Sequence, residues 1–236
     1  MTPSIPVPVT SVTLLPYLSP KSGNQAQVGL ESLGQVYALN RGETLYQTGD
    51  CAKAIYLVLE GLIKLSRLNE FGGERVVGLM GRRDVLGLGS LRQQGIHTEE
   101  ARALAPVRLI SIESATLARS LHLHPNLSES LFSALAGRTL DLLELLDLAQ
   151  APVLIKVSKA LLWLGQRFGT QAEGGCRLEL GLRQEELASL VGVQRPTMTH
   201  TLTLLRDLGL VRGSRGVYWL DQKGLQRRLE TLALAA

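Results

Sequence analysis

The sequence predicts an α+β protein in three parts: an N-terminal β-roll (a double-stranded β-helix or jelly roll), a long dimerisation helix, and a C-terminal winged helix-turn-helix. Three observations carry this reading. Short apolar runs separated by glycines fill the first half, and a leucine-rich stretch with helical character follows Pro125. Residues 182–211 then read as two short helices around a tight turn, with a hairpin after them. At 236 residues and 45% hydrophobic content the chain is long enough for two domains. The expected division is a poorly ordered segment at 1–30, the roll at 31–125, the long helix and a hinge at 126–152, and the winged helix-turn-helix domain at 153–236.

The roll comes first. From about Tyr37 to Glu113, β-type runs occur at Thr44–Tyr46, Ala54–Leu59, Leu62–Leu68, Arg75–Met80 and Val107–Ile112. Glycines stand between them, most clearly in Glu60-Gly61 and Phe71-Gly72-Gly73-Glu74. Short strands at this spacing, with glycine where the chain reverses, predict an antiparallel roll or barrel.

Asn126 can cap a helix that runs to about Gln150 and ends at Ala151-Pro152. Leu131, Leu135, Leu142, Leu145, Leu146 and Ala149 form its main apolar stripe. With Leu140, Leu143 and Leu148 added, the leucines exceed what one face can hold. One side is therefore expected to cover the roll, and the other to face the same helix of a second subunit.

In the C-terminal part, Leu187, Ala188, Leu190 and Val191 give the first short helix an apolar face, and Gly192 suits a turn that needs positive φ. The second helix buries Met198, Leu202 and Leu205 and presents Arg195, Thr197, Thr199 and His200 as candidate base contacts. Arg183 and Gln184, at the start of the first helix, are candidate phosphate contacts. Residues 211–220 read as strand, Gly-rich turn and strand, a wing whose Arg212 and Arg215 are further phosphate candidates. Charge placement agrees. Residues 153–236 hold 12 Lys/Arg against 7 Asp/Glu, net +5, whereas residues 1–152 are net −1. The basic excess is confined to the part that would neutralise phosphates.

A glycine-punctuated roll, a leucine-rich helix and a winged helix-turn-helix, in that order, resemble the cAMP-receptor/FNR superfamily of bacterial transcription regulators. The resemblance runs from about residue 35 to 222 and is strongest in Arg41–Leu65, Arg82–Leu91 and Leu182–Val211. It implies a homodimer on palindromic double-stranded DNA, with recognition helices about 34 Å apart, that recruits RNA polymerase as an activator or blocks it. Arg195 falls at the position of the family's guanine-reading arginine. Pro196 replaces a cytosine-reading glutamate, and His200 replaces a second arginine.

The sensory pocket departs from that of the cyclic-nucleotide binders. Gly87-Leu88-Gly89 stands where they have Gly-Glu-Leu, and His97-Thr98 where they have Arg-Ser. Leu142 and Leu143 stand where two hydroxyl residues contact adenine. A ribose carboxylate and a phosphate arginine are both missing, which removes several charge-assisted bonds. The resemblance therefore implies either an effector other than cAMP or activity without one. The VLGLGSL segment is nearest to the cyanobacterial global nitrogen regulator, which senses the dianion 2-oxoglutarate. Arg82, Arg83, Arg92, Arg102 and Arg138 are the nearby cations, each more readily read as a surface residue.

A competing enzyme reading rests on His122, His124 and Glu129, whose spacing matches a cupin metal site. Against it, the two histidines follow the last strand signal, Pro125 comes next, and Thr116 stands where a glycine is expected. A polar loop between helices is the better expectation, with no cofactor and no catalytic role. Two distant cysteines, Cys51 and Cys176, point to a reducing, cytoplasmic setting. No apolar stretch is long enough to span a membrane, and no signal peptide is evident.

Overall fold

The computed structural model describes residues 32–68, 72–92, 95–126, 128–129, 131–132, 136, 150–214 and 216–234. Eight strands build the roll: β1 (Gln35–Leu39), β2 (Thr44–Tyr46), β3 (Ala54–Glu60), β4 (Ile63–Leu68), β5 (Glu74–Met80), β6 (Val85–Leu86), β7 (Glu100–Ala103) and β8 (Val107–Glu113). They form two antiparallel four-stranded sheets, ordered β1-β8-β3-β6 and β2-β7-β4-β5. Val58, Ile63, Leu65, Met80, Ala101, Ala103 and Leu109 fill one core cluster, an alternating inward set of the kind packed sheets require. Three of the eight strands, β1, β6 and β7, lie outside the runs expected from sequence. β6 has two residues and β7 reads Glu-Ala-Arg-Ala, so neither shows an apolar run.

Helix α1 (Ser114–Leu123) follows, packing Leu117 beside Ile55, Leu57, Ile110 and Ile112. The expected polar loop around His122 is therefore corrected. His122 lies in the last turn of a helix, and His124 ends it. Residues 125, 126, 128, 129, 131, 132 and 136 are also helical.

The C-terminal part contains α2 (Val153–Phe168), β9 (Thr170–Ala172), β10 (Gly175–Glu179), α3 (Gln184–Val191), α4 (Arg195–Asp207), β11 (Val211–Ser214), β12 (Val217–Leu220) and α5 (Gln222–Leu234). Its sheet, ordered β11-β12-β10-β9, is entirely antiparallel. Leu161, Leu164, Leu178, Met198, Leu202, Leu205, Leu220 and Leu225 belong to one core. That core also takes in Leu79 of β5, whose neighbour Met80 points into the roll. Alternation along a single strand thus lets β5 serve both cores.

Polar contacts accompany this shared packing. The buried Asp84 carboxylate accepts from the Gly81 N–H at 2.7 Å and pairs with Arg167 of α2. The preceding Arg83 is held at φ 76, a region costly for a residue with Cβ. The Val76 N–H donates to Ser189 Oγ of α3 at 2.9 Å.

Candidate nucleic-acid interface

The two helices of the C-terminal motif meet at Gly192, whose φ of 73° and ψ of 37° place it in the left-handed region. No Cβ interferes there, so the chain can close α3 and re-enter α4 within three residues. Pro196 lies in the first turn of α4, where a missing N–H costs no intrahelical bond.

Met198, Leu202 and Leu205 are fully buried beneath α4. Arg195, Thr199 and His200 are exposed on its other side, and Thr197 is half-buried. Thr199 Oγ1 donates to the Arg195 carbonyl at 2.9 Å. Its proton is used within the helix, so toward a base edge this hydroxyl offers acceptor lone pairs. Arg195 supplies donors, which a guanine edge accepts.

Around this ridge lie the phosphate candidates. Arg183 is the exposed N-cap of α3 and Gln184 its half-buried first residue. The Arg183 N–H donates to Glu186 Oε2 at 2.8 Å, and the Arg183 side chain reaches the same oxygen at 3.4 Å. In the wing, exposed Arg212 sits opposite Trp219 and donates through Nη2 to the Gly174 carbonyl at 2.7 Å. One of its five donors is thereby engaged with the β9–β10 turn. Arg215 lies outside the described residues. Arg206, which sequence reasoning passed over, donates from the end of α4 to the Gly213 carbonyl at 3.0 Å and braces the wing. Its spacing gave no signal, because only the hairpin's fold-back brings Gly213 to it.

In the roll, Gly87 at φ 76 opens a 3-10 turn over Leu88–Leu91 that includes Gly89. The Ser90 hydroxyl of that turn is buried without a partner among the described residues. His97 is 3% exposed, and its ring stacks on Tyr46 with centroids 3.6 Å apart. Tyr46 in turn stacks on Tyr56 at 5.9 Å. Burial holds the imidazole below its ordinary pKa, against the pull of Glu99 and Asp50. Thr98 is exposed and donates to Glu99 at 2.5 Å. Arg82, Arg92 and Arg102 are exposed, and Arg83 is half-buried.

Leu131 is half-buried. The remaining dimer-helix candidates Leu135, Leu142, Leu145, Leu146 and Ala149, and the pocket candidates Arg138, Leu142 and Leu143, lie outside the described residues. His122, His124 and Glu129 are exposed, and among the described residues no three potential ligands converge on a metal position.

Comparison with known proteins agrees with this architecture. Residues 37–123 match the cyclic nucleotide-binding domain and residues 155–228 the Crp-like helix-turn-helix domain. The chain is 34% identical over 190 residues to the CRP-like cAMP-activated global transcriptional regulator of Mycobacterium tuberculosis, covering 80% of this chain and 85% of that one. It is 32% identical over 179 residues to the global nitrogen regulator of Synechocystis, covering 75% and 80%. Among solved structures, FixK2 of Bradyrhizobium japonicum superposes with a TM-score of 0.72 at 17% identity, over 84% of this chain and 96% of that one. A CRP/FNR-family transcriptional regulator from Thermus thermophilus superposes at 0.66 with 26% identity, over 83% and 98%.

A sensor-type roll joined to a winged helix-turn-helix defines a DNA-binding transcription regulator. The chain belongs to the CRP/FNR family of such regulators.

Proposed function

We propose that the protein acts in the cytoplasm as a homodimer on a palindromic operator, with Arg195 reading one guanine in each half-site. The observation that carries this is the ridge of α4: Arg195, Thr199 and His200 exposed over fully buried Met198, Leu202 and Leu205. Arg183, Gln184, Arg212 and Arg215 serve as phosphate contacts, and Thr197 flanks the ridge. The long helix supplies the dimer contact through Leu131, Leu135, Leu142, Leu145, Leu146 and Ala149. RNA polymerase is the partner that an activator of this class recruits. The protein performs no catalysis and uses no cofactor.

The roll does not recognise a cyclic nucleotide. A buried, neutral His97 stacked on Tyr46 supplies no charge for a phosphate. Regulation comes from another effector, with 2-oxoglutarate first to test, or the resting protein already binds DNA. The Mycobacterium tuberculosis relative, cAMP-activated by name and 34% identical, favours cAMP as the second reading.

The test is selection from random duplex DNA by ligand-stripped protein, repeated with 2-oxoglutarate and with cAMP. The expected result is an enriched palindrome that does not require cAMP. Enrichment with cAMP alone establishes the second reading, and no enrichment under any condition overturns the operator reading.

A further inference from the structure

The surface of the β4–β5 hairpin turned away from the roll's core is unusual in carrying a buried charge. Lys64 on β4 sits opposite Leu79 on β5, and Leu79 belongs to the core of the C-terminal domain. Lys64 is 5% exposed, and its Nζ lies 2.6 Å from Glu186 Oε1 and 2.7 Å from Glu74 Oε1. Lys64 and Glu186 are 122 residues apart in sequence. Glu186 stands in the first turn of α3, and its other oxygen holds the N–H and side chain of Arg183. One carboxylate therefore joins the roll to the N-terminus of the helix that carries the reading helix. Three residues further on, Ser189 Oγ accepts the Val76 N–H of the same hairpin.

A charge this deeply buried is costly unless it is paired, and a hydrophobic residue would hold the two domains together as well or better. What the pair adds is direction. A greasy patch tolerates sliding, whereas one short charge-assisted bond from Lys64, itself held in place by Glu74, and a backbone N–H fix the rotation of α3 on the roll. The reading face is open in this docked arrangement: Arg183, Arg195, Thr199 and His200 are all exposed.

We propose that Lys64 is a positioning residue for operator recognition: through Glu186 it locks α3 to the roll, so that the two recognition helices of a dimer keep the separation and tilt a palindrome demands. The idea rests on the dimeric operator reading above. Two half-sites about 34 Å apart can be engaged together only if neither recognition helix swings freely. A single half-site makes no such demand. Lys64 touches no DNA and acts through Glu186.

The experiment compares binding to the selected palindrome, to an isolated half-site, and to palindromes with one or two base pairs inserted at the centre. The proteins are the unmodified chain, Lys64→Met, Ser189→Ala and Lys64→Met/Glu74→Gln/Glu186→Gln, in which the cluster carries no charge. For Lys64→Met the expected result is a loss of about tenfold or more on the palindrome, with half-site affinity changed less than about twofold, and weakened discrimination against the inserted spacings. Ser189→Ala changes the same readouts in the same direction by less. The triple variant removes the uncompensated carboxylates and, with them, any simple repulsion of DNA. It stays defective on spacing if orientation is the cause. Equal losses on half-site and palindrome, unchanged binding throughout, or full recovery in the triple variant would overturn the proposal. If the unmodified protein selects no palindrome, the operator reading fails instead, before Lys64 is put to the test.

Discussion

The rings of Tyr46 and His97 lie face to face, 3.6 Å between centroids and 9° from parallel, inside the sensor roll. Tyr46 comes from β2, whereas His97 precedes β7, and the contact buries the imidazole almost completely. The His97 imidazole is thus a ring whose charged form its surroundings disfavour.

This has a consequence for stability. The folded-state pKa of His97 lies below the ordinary 6.5 because burial disfavours the charged form. As pH falls below 6.5, the unfolded chain takes up a proton that the folded chain resists, so stability is present above that value and drains below it. For one group the slope cannot exceed about 1.4 kcal/mol per pH unit. His97→Phe keeps a ring on Tyr46 and should flatten the unfolding midpoint between pH 6.5 and 5.5. Denaturant titrations at both pH values check this, and parallel curves for the two proteins would count against it.

The Lys64 cluster titrates outside that window. Burial opposes charge on all three groups, but the hydrogen bonds between them hold Lys64 above its ordinary 10.5 and Glu74 and Glu186 below their ordinary 4.5. The carboxylates' contribution is present above 4.5 and is lost as pH falls through their lowered values. That of Lys64 is present below 10.5 and is lost as pH rises through its raised value. Glu186→Gln should therefore soften the acid loss of stability while leaving the interval between pH 6 and 9 without slope from this cluster. Denaturant midpoints measured from acid to neutral pH, for this variant and the unmodified chain, check it.

Arg195→Ala should cost about 1–3 kcal/mol on the selected operator and much less on unrelated DNA. Titration of both duplexes at one salt concentration decides the matter. Equal losses would show that Arg195 contacts phosphate rather than a base.

Arg212→Ala separates two roles. Its guanidinium already holds the Gly174 carbonyl. If it also neutralises a phosphate, affinity for every sequence falls and the slope of log K against log salt drops by about 1. A loss of affinity with the slope unchanged would assign it to bracing the hairpin alone.

Gly192→Ala places a Cβ at φ 73 with open space around it. No clash contributes, so the expected destabilisation is the left-handed backbone cost alone, about 1–2 kcal/mol. Denaturant unfolding followed by far-UV circular dichroism measures it.

The winged helix-turn-helix was readable because its signals are local. The spacing of Met198, Leu202 and Leu205, the glycine at 192 and the hairpin at 211–220 each act within a few residues. The β3, β4, β5 and β8 runs were readable for the same reason, since their apolar residues alternate or cluster on the strand itself. Strands β1, β6 and β7 were not, because β6 is only two residues and β1 and β7 gain their stability from partners distant in sequence, as Gln35 with Ser111 and Ile63 with Ala103 show. Within the site, the ridge of α4 followed from helical spacing. The Arg206–Gly213 brace and the burial of His97 needed the folded chain.

By itself the sequence determined the order of the parts and the second helix of the turn motif, with Arg195, Thr199 and His200 on its exposed side, because periodicity and turn chemistry are properties of neighbouring residues. Only the tertiary structure decided that Lys64 would face Glu186, that Asp84 would face Arg167, and that Leu79 would enter a second core. Those contacts depend on where the C-terminal domain docks on the β4–β5 hairpin. Docking is settled by the fit of two assembled surfaces, which no stretch of either segment encodes alone.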